Sequence, residues 1–331
     1  MKRRDFITLI GGTAATWGVT ARAQLPEGMR RIGVLMGYPE SDSEAQSYLA
    51  AFRDGVRALG WTEGRNFRID TRWATPGDPE SMQRFAKELV MLQPDVILSQ
   101  TTPTTAALLQ RTRTIPIVFA LVSDPVGSGF VASYRRPGGN VTGFDVSEPT
   151  QAGKWVELLK EIAPHVTRVA MLFNPESAAY AEFWLNPFKT AGAAFAVETI
   201  SIPVRNESEL DSVTATQARE PNGGLIVMPD SFLIAYRVEI ISLAARHRLP
   251  VVYPYRLFAE AGGLLSYGVD QIDNFRRAAT YVDRILKGEK PSELPVQAPV
   301  KFELIVNLKT AKTLGLVIPE TFVQRADEVI E

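Results

Sequence analysis

The densest group of hydrogen-bonding side chains in the sequence is Ser99-Gln100-Thr101-Thr102-Pro103-Thr104-Thr105, with five hydroxyls in seven positions. Residues 96–99 read as a short buried strand, and Pro103 suits the first turn of a helix. Hydroxyls and uncapped backbone N–H groups then converge at a helix start, a place suited to an anion such as a carboxylate. A single Ser or Thr there would be ordinary capping. Ser99, Thr101, Thr102 and Thr104 together exceed what a cap requires and are candidate ligand contacts. Asp124, in Ser123-Asp124-Pro125, and Asp230, beside Ser231, each follow an expected strand. Either could accept from a ligand ammonium or cap a local turn. Asn174 ends a further strand, with Ser177 close by. Tyr38, Phe144, Tyr253 and Tyr267 stand at strand ends or chain crossings, where a ring either stacks on a flat ligand or packs into the core.

Covalent chemistry has few openings. Cysteine is absent and only His165 and His247 are available, which removes thiolate nucleophiles and Cys-ligated metals and narrows His-dependent hydrolysis. No Gly-x-Ser-x-Gly elbow, phosphate-binding Gly-x-x-x-x-Gly-Lys loop or dinucleotide Gly-x-Gly-x-x-Gly is found. No catalytic residue, metal or cofactor is therefore assigned, and the residue types point to non-covalent capture of a small molecule. Carboxylate chemistry with Asp124 and Asp230 facing across a cleft is the enzymatic alternative.

These residues need elements to position them. Short apolar runs at 31–36, 67–73, 96–99, 117–121 and 141–144 alternate with helical segments at 44–59, 79–92 and 103–111. That alternation is the signature of βαβ units and a parallel sheet. It restarts with a helix at 151–162, strands at 168–173, 197–202, 225–228, 251–253 and 264–267, and helices at 179–191, 207–219 and 233–246. The fold class is α/β: two similar Rossmann-like lobes with parallel sheets, joined by a multi-strand hinge near 143–146 and 268–270. Lobe 1 is expected to hold residues 30–145 plus about 271–306, and lobe 2 residues 146–270 plus about 307–320. Ligands bind such sheets beyond the carboxyl ends of the strands, where the candidate residues fall.

The 331 residues carry 45% hydrophobic and 22% charged side chains, as expected of a globular chain large enough for two cores. A net charge of −1 with no basic tract argues against a nucleic-acid partner. Residues 1–23 read as a cleaved export signal: Lys2, Arg3 and Arg4, a short apolar stretch, then Ala21-Arg22-Ala23. The apolar part is too short for an ordinary membrane span of about 20 residues, so no stable membrane insertion is expected. Arg3-Arg4-Asp5-Phe6-Ile7 resembles a twin-arginine motif, which implies a periplasmic location.

Several stretches together resemble the ABC-transporter substrate-binding proteins that carry a tryptophan or tyrosine transport label, and the type I periplasmic binding fold more broadly. They are residues 31–36 with Tyr38, 95–105, 117–125, the turn at 138–143, 168–175, 263–268 and 304–315. The resemblance spans essentially the whole mature chain and implies a receptor for a small molecule, without fixing which one; a monomer that binds an amino acid or small aromatic compound is expected. It also implies an ABC permease and its ATPase as partners; a receptor for a membrane signalling protein is the alternative. In related amino-acid receptors, hydroxyls at a first-lobe helix start hold the carboxylate and an acid holds the ammonium. Ser99, Thr101, Thr102 and Asp124 or Asp230 match those places.

Overall fold

The computed structural model describes residues 28–331; the export segment expected at 1–23 lies outside them. The first half alternates β1 (Arg30–Met36), α1 (Ser43–Ala58), β2 (Phe67–Trp73), α2 (Pro79–Met91), β3 (Val96–Gln100), α3 (Thr102–Leu109), β4 (Ile117–Val122) and β5 (Val141–Asp145). These strands make a parallel sheet in the order β2-β1-β3-β4-β5. β3 and β4 are buried along their whole length, which is why they read as unbroken apolar runs. Helix starts follow local chemistry: Asp42 caps α1, Asp78 caps α2, and Pro79 opens α2.

The second half runs α4 (Gln151–Ile162), β6 (Arg168–Phe173), α5 (Ala181–Ala194), β7 (Glu198–Pro203), α6 (Glu207–Arg219), β8 (Gly223–Val227), α7 (Ser231–Ala235), α8 (Arg237–Arg246), β9 (Val251–Tyr253), α9 (Arg256–Glu260) and β10 (Leu265–Val269). The chain ends with α10 (Gln271–Leu286), β11 (Phe302–Asn307), α11 (Leu308–Thr313), α12 (Glu320–Val323) and β12 (Glu328–Ile330). The second sheet has the order β12-β11-β10-β9-β8-β6-β7 and is parallel except between β10 and β11.

The tail corrects the expected division. Helix α10 does return to the first unit, packing on α1 so closely that a Cβ on Gly55 would lie 2.7 Å from Ala279 Cβ. The end of the stretch expected in lobe 1, however, belongs to the second sheet, where β11 runs antiparallel to β10 from Leu265↔Val306 to Val269↔Phe302. There it meets the open hydrogen-bonding edge of β10 and buries Leu304, Ile305 and Val306. The helix expected at 233–246 is broken at Tyr236 into α7 and α8, and α9 and β12 were not foreseen.

Three segments cross between the units, after β5, after β10 and before β11, and they are tied together. Asp145 N–H donates to Gln297 O (2.9 Å), Gln297 N–H to Gly143 O (2.9 Å) and Asp270 N–H to Lys301 O (3.3 Å). Asn274 Nδ2 reaches Asp145 O at 3.4 Å. The fully buried Asp145 carboxylate accepts from Ser147 N–H (2.8 Å), Ser147 Oγ (2.6 Å) and the Tyr134 hydroxyl, and burial pushes its pKa up to about 6.

Glycine is required at two of these crossings. A Cβ on Gly143 would lie 2.1 Å from Phe119 O, and one on Gly268 only 1.6 Å from Pro254 O. In both cases the obstacle is backbone, which cannot turn aside. Gly143→Ala should therefore destabilise by about 3 kcal/mol or more, lowering Tm by roughly 5 °C or more. Calorimetry checks this, and an unchanged Tm would contradict the close approach of β4 and β5.

Candidate functional site

The carboxyl ends of both sheets face one small cavity. It is walled from the first unit by Tyr38, Thr101, Thr102, Pro103, Leu121 and Ser123, and from the second by Tyr180, Asp230, Ser231, Ile234 and Tyr255, with Gln271 at the start of α10. The free volume between these atoms is only about 20 Å³, room for about one water, so a ligand would need the two units to part.

One pole of the cavity is acidic. Asp230 follows β8, is 1% exposed and caps α7. Its Oδ1 accepts from Ser177 Oγ (2.6 Å), Phe232 N–H (2.7 Å) and, more weakly, Leu233 N–H (3.4 Å). Oδ2 accepts from Asn174 N–H at 2.6 Å. No Lys or Arg forms an ion pair with Asp230 among the described residues. Burial pushes its pKa up to about 6, against the pull of those hydrogen bonds. The result is a buried carboxylate held in place by neutral donors.

The opposite pole is the start of α3, which has no side-chain cap; Pro103 lies in its first turn. Its exposed dipole end favours negative charge. Thr102 Oγ1 accepts from Ser123 N–H at 3.1 Å, joining the ends of β3 and β4. The backbone here is strained: Thr101 has φ 72° and ψ 158°, Leu121 φ 57° and Asp124 φ 46°. For residues with a Cβ each such conformation costs on the order of 1 kcal/mol or more, and such strain gathers at functional sites. Leu121, Tyr180 and Tyr255 supply apolar and aromatic wall between the poles.

A model of the family described as "ABC transporter substrate binding protein" matches residues 39–330. The chain belongs to this family. The "Tyrosine-binding protein" of Clostridioides difficile (strain R20291) is 25% identical over 290 residues, which cover 87% of this chain and 81% of the relative. A Streptococcus pneumonia ABC domain solved in complex with L-Trp superimposes with a TM-score of 0.84 at 26% identity, covering 91% of this chain and 100% of that one. A conserved domain protein of Vibrio cholerae gives a TM-score of 0.84 at 29% identity, covering 91% and 99%. The fold is thus the type I periplasmic binding fold, as the sequence suggested.

Within this substrate-binding protein the candidate residues separate by place. Tyr38, Thr101, Thr102 and Asp230 line the cavity. Asp124 does not; it is partly exposed in a neighbouring groove between the units, and its Oδ1 closes its own turn by accepting from Gly127 N–H at 2.8 Å. Ser99 and Thr104 are also outside the lining, because their hydroxyls turn inward, Ser99 to Thr105 Oγ1 (2.7 Å) and Thr104 to Gln100 O. Asn174 acts from behind, its Oδ1 holding Glu176 and Ser177 N–H while its own N–H aims Asp230. Three aromatic candidates pack elsewhere: Phe144 on Tyr281, Tyr253 on Phe258 and Tyr267 on Phe302. Tyr180, Leu121, Ile234 and Gln271 were missed. Tyr180 and Gln271 sit at helix starts after a strand, the one positional signal that could have marked them.

The units are also joined beside the cavity. Arg237, opening α8, pairs with Asp42 of the α1 cap at 3.0 Å and donates to Ile234 O at 3.1 Å. The two side chains are only 17% and 11% exposed, so solvent screens the pair less than a surface salt bridge. The pair links the two units directly. Arg237→Met should raise the ligand dissociation rate about three- to tenfold, with little change in association. Stopped-flow kinetics measure both; equal dissociation rates would show that the pair adds nothing to closure.

Proposed function

We propose that this protein is the exported receptor of an importer, taking up a free amino acid with an aromatic or other large apolar side chain. The observation that carries the reading is the pairing of an acidic pole and an uncapped helix start in the wall of one small cavity. A zwitterion places its ammonium against the Asp230 carboxylate and its carboxylate against the α3 start with Thr101, Thr102 and Ser123. Tyr38, Leu121, Tyr180, Ile234 and Tyr255 are left to surround the side chain. The relatives named for tyrosine binding and solved with L-Trp support the same class. Export by residues 1–23, action as a monomer outside the cytoplasm, and delivery to a permease with its ATPase belong to this proposal. No helix among the described residues is long and apolar enough to cross a membrane, which fits a receptor that hands its ligand to a separate channel. The bound molecule leaves unchanged.

The test is a thermal-shift screen of the amino acids and small aromatic compounds, followed by titration calorimetry with L-tryptophan and L-tyrosine. A true ligand at 100 times its Kd adds about 2.7 kcal/mol of stability. Asp230→Asn should weaken an amino acid about 10- to 100-fold, the worth of one charge-assisted hydrogen bond. Because the free carboxylate titrates at about 6 and only its ionised form attracts an ammonium, wild-type affinity should hold above pH 7. Below pH 6 it should fall, approaching tenfold per unit, while the Asp230→Asn variant stays flat. Tight binding of compounds without an amino group, with no response to amino acids, would sink the reading.

A further inference from the structure

Ser231 is the first residue of α7 and stands next to Asp230 in the cavity wall. It is 5% exposed, and its hydroxyl has no hydrogen-bond partner among the described residues. Buried hydroxyls are nearly always paired, so an unpaired one in a cavity wall calls for an explanation. Capping does not supply it, because the Asp230 carboxylate already caps α7. Three neighbouring hydroxyls already have protein partners: Ser177 Oγ donates to Asp230, Thr102 Oγ1 accepts from Ser123 N–H, and the Tyr180 hydroxyl donates to Pro229 O at 2.6 Å.

An ammonium group brings three donors. Asp230 Oδ1 is already crowded by Ser177, Phe232 and Leu233, whereas Oδ2 holds one donor, from Asn174. The carboxylate therefore has room for one ammonium hydrogen, on Oδ2, and a second needs another acceptor beside it. We propose that Ser231 Oγ is a direct ligand contact, accepting a hydrogen bond from the α-ammonium next to Asp230 and so selecting amines over amine-free analogues. This inference rests on the amino-acid reading of the cavity.

A hydroxyl kept for the ligand and not for the fold has a distinctive signature. Removing it spares the free protein an unpaired buried polar group, so stability stays level or rises while binding falls. The experiment compares wild type and Ser231→Ala by calorimetry, using L-tryptophan and L-tyrosine with their des-amino acids, indole-3-propionate and 3-(4-hydroxyphenyl)propionate, at up to millimolar concentration. Ser231→Ala should bind the amino acid about tenfold more weakly and the matching des-amino acid less than twofold more weakly. The Tm of the free variant should be unchanged or higher. Unchanged amino-acid affinity, equal losses for both ligands, or a Tm drop of several degrees would overturn the assignment. Wild type that binds neither amino acid would instead bring down the amino-acid reading, and this inference with it.

Discussion

A carboxylate sealed away from water with no cation beside it must be paid for by fixed donors, and much of the second unit is arranged to supply them to Asp230. Isolated buried charges cost several kcal/mol even after relaxation. Asp230 is offset by the N–H groups of Asn174 and Phe232 and by the Ser177 hydroxyl, drawn from the loops after β6 and β8. Asn174 in turn shapes the 174–177 turn that carries Ser177. The loops would have to rearrange together if the acid were moved. Enough stabilisation is present to hold the charge, and enough is withheld that its pKa sits near 6.

The first unit answers with the opposite kind of pole. It has no basic side chain at the cavity, only an uncapped helix start and hydroxyls, so an anion there would be held by oriented dipoles. The strained backbone at Thr101, Leu121 and Asp124 marks where regular geometry gives way to that arrangement. Moving a closed population from 1:99 to 99:1 takes about 5.5 kcal/mol, and one charge-assisted hydrogen bond supplies roughly 1.5–3. A shift of that size would need contacts from both units at once, which a zwitterion spanning the two poles would supply. The tied crossings at Gly143–Asp145, Asp270 and Gln297–Lys301 give the two units a shared pivot.

What the sequence determined by itself was the alternation of buried strands and amphipathic helices, hence two parallel-sheet units, and the strand-end positions of Thr101, Thr102, Asp230 and Tyr38. Those follow from short-range rules, in which burial period, Pro and Asp at helix starts, and the carboxyl ends of strands are all local properties. The tertiary structure alone decided which hydroxyls face the cavity, because Ser99 and Thr104 have partners within a few residues that outcompete a ligand, and no spacing reveals that choice. It also separated Asp230 from Asp124, two acids with the same local context, through burial contributed by distant elements. The placement of β11 against β10 was likewise decided in three dimensions. A strand's period announces that it will be buried, but its partner is chosen by whichever sheet edge is left open when the chain returns.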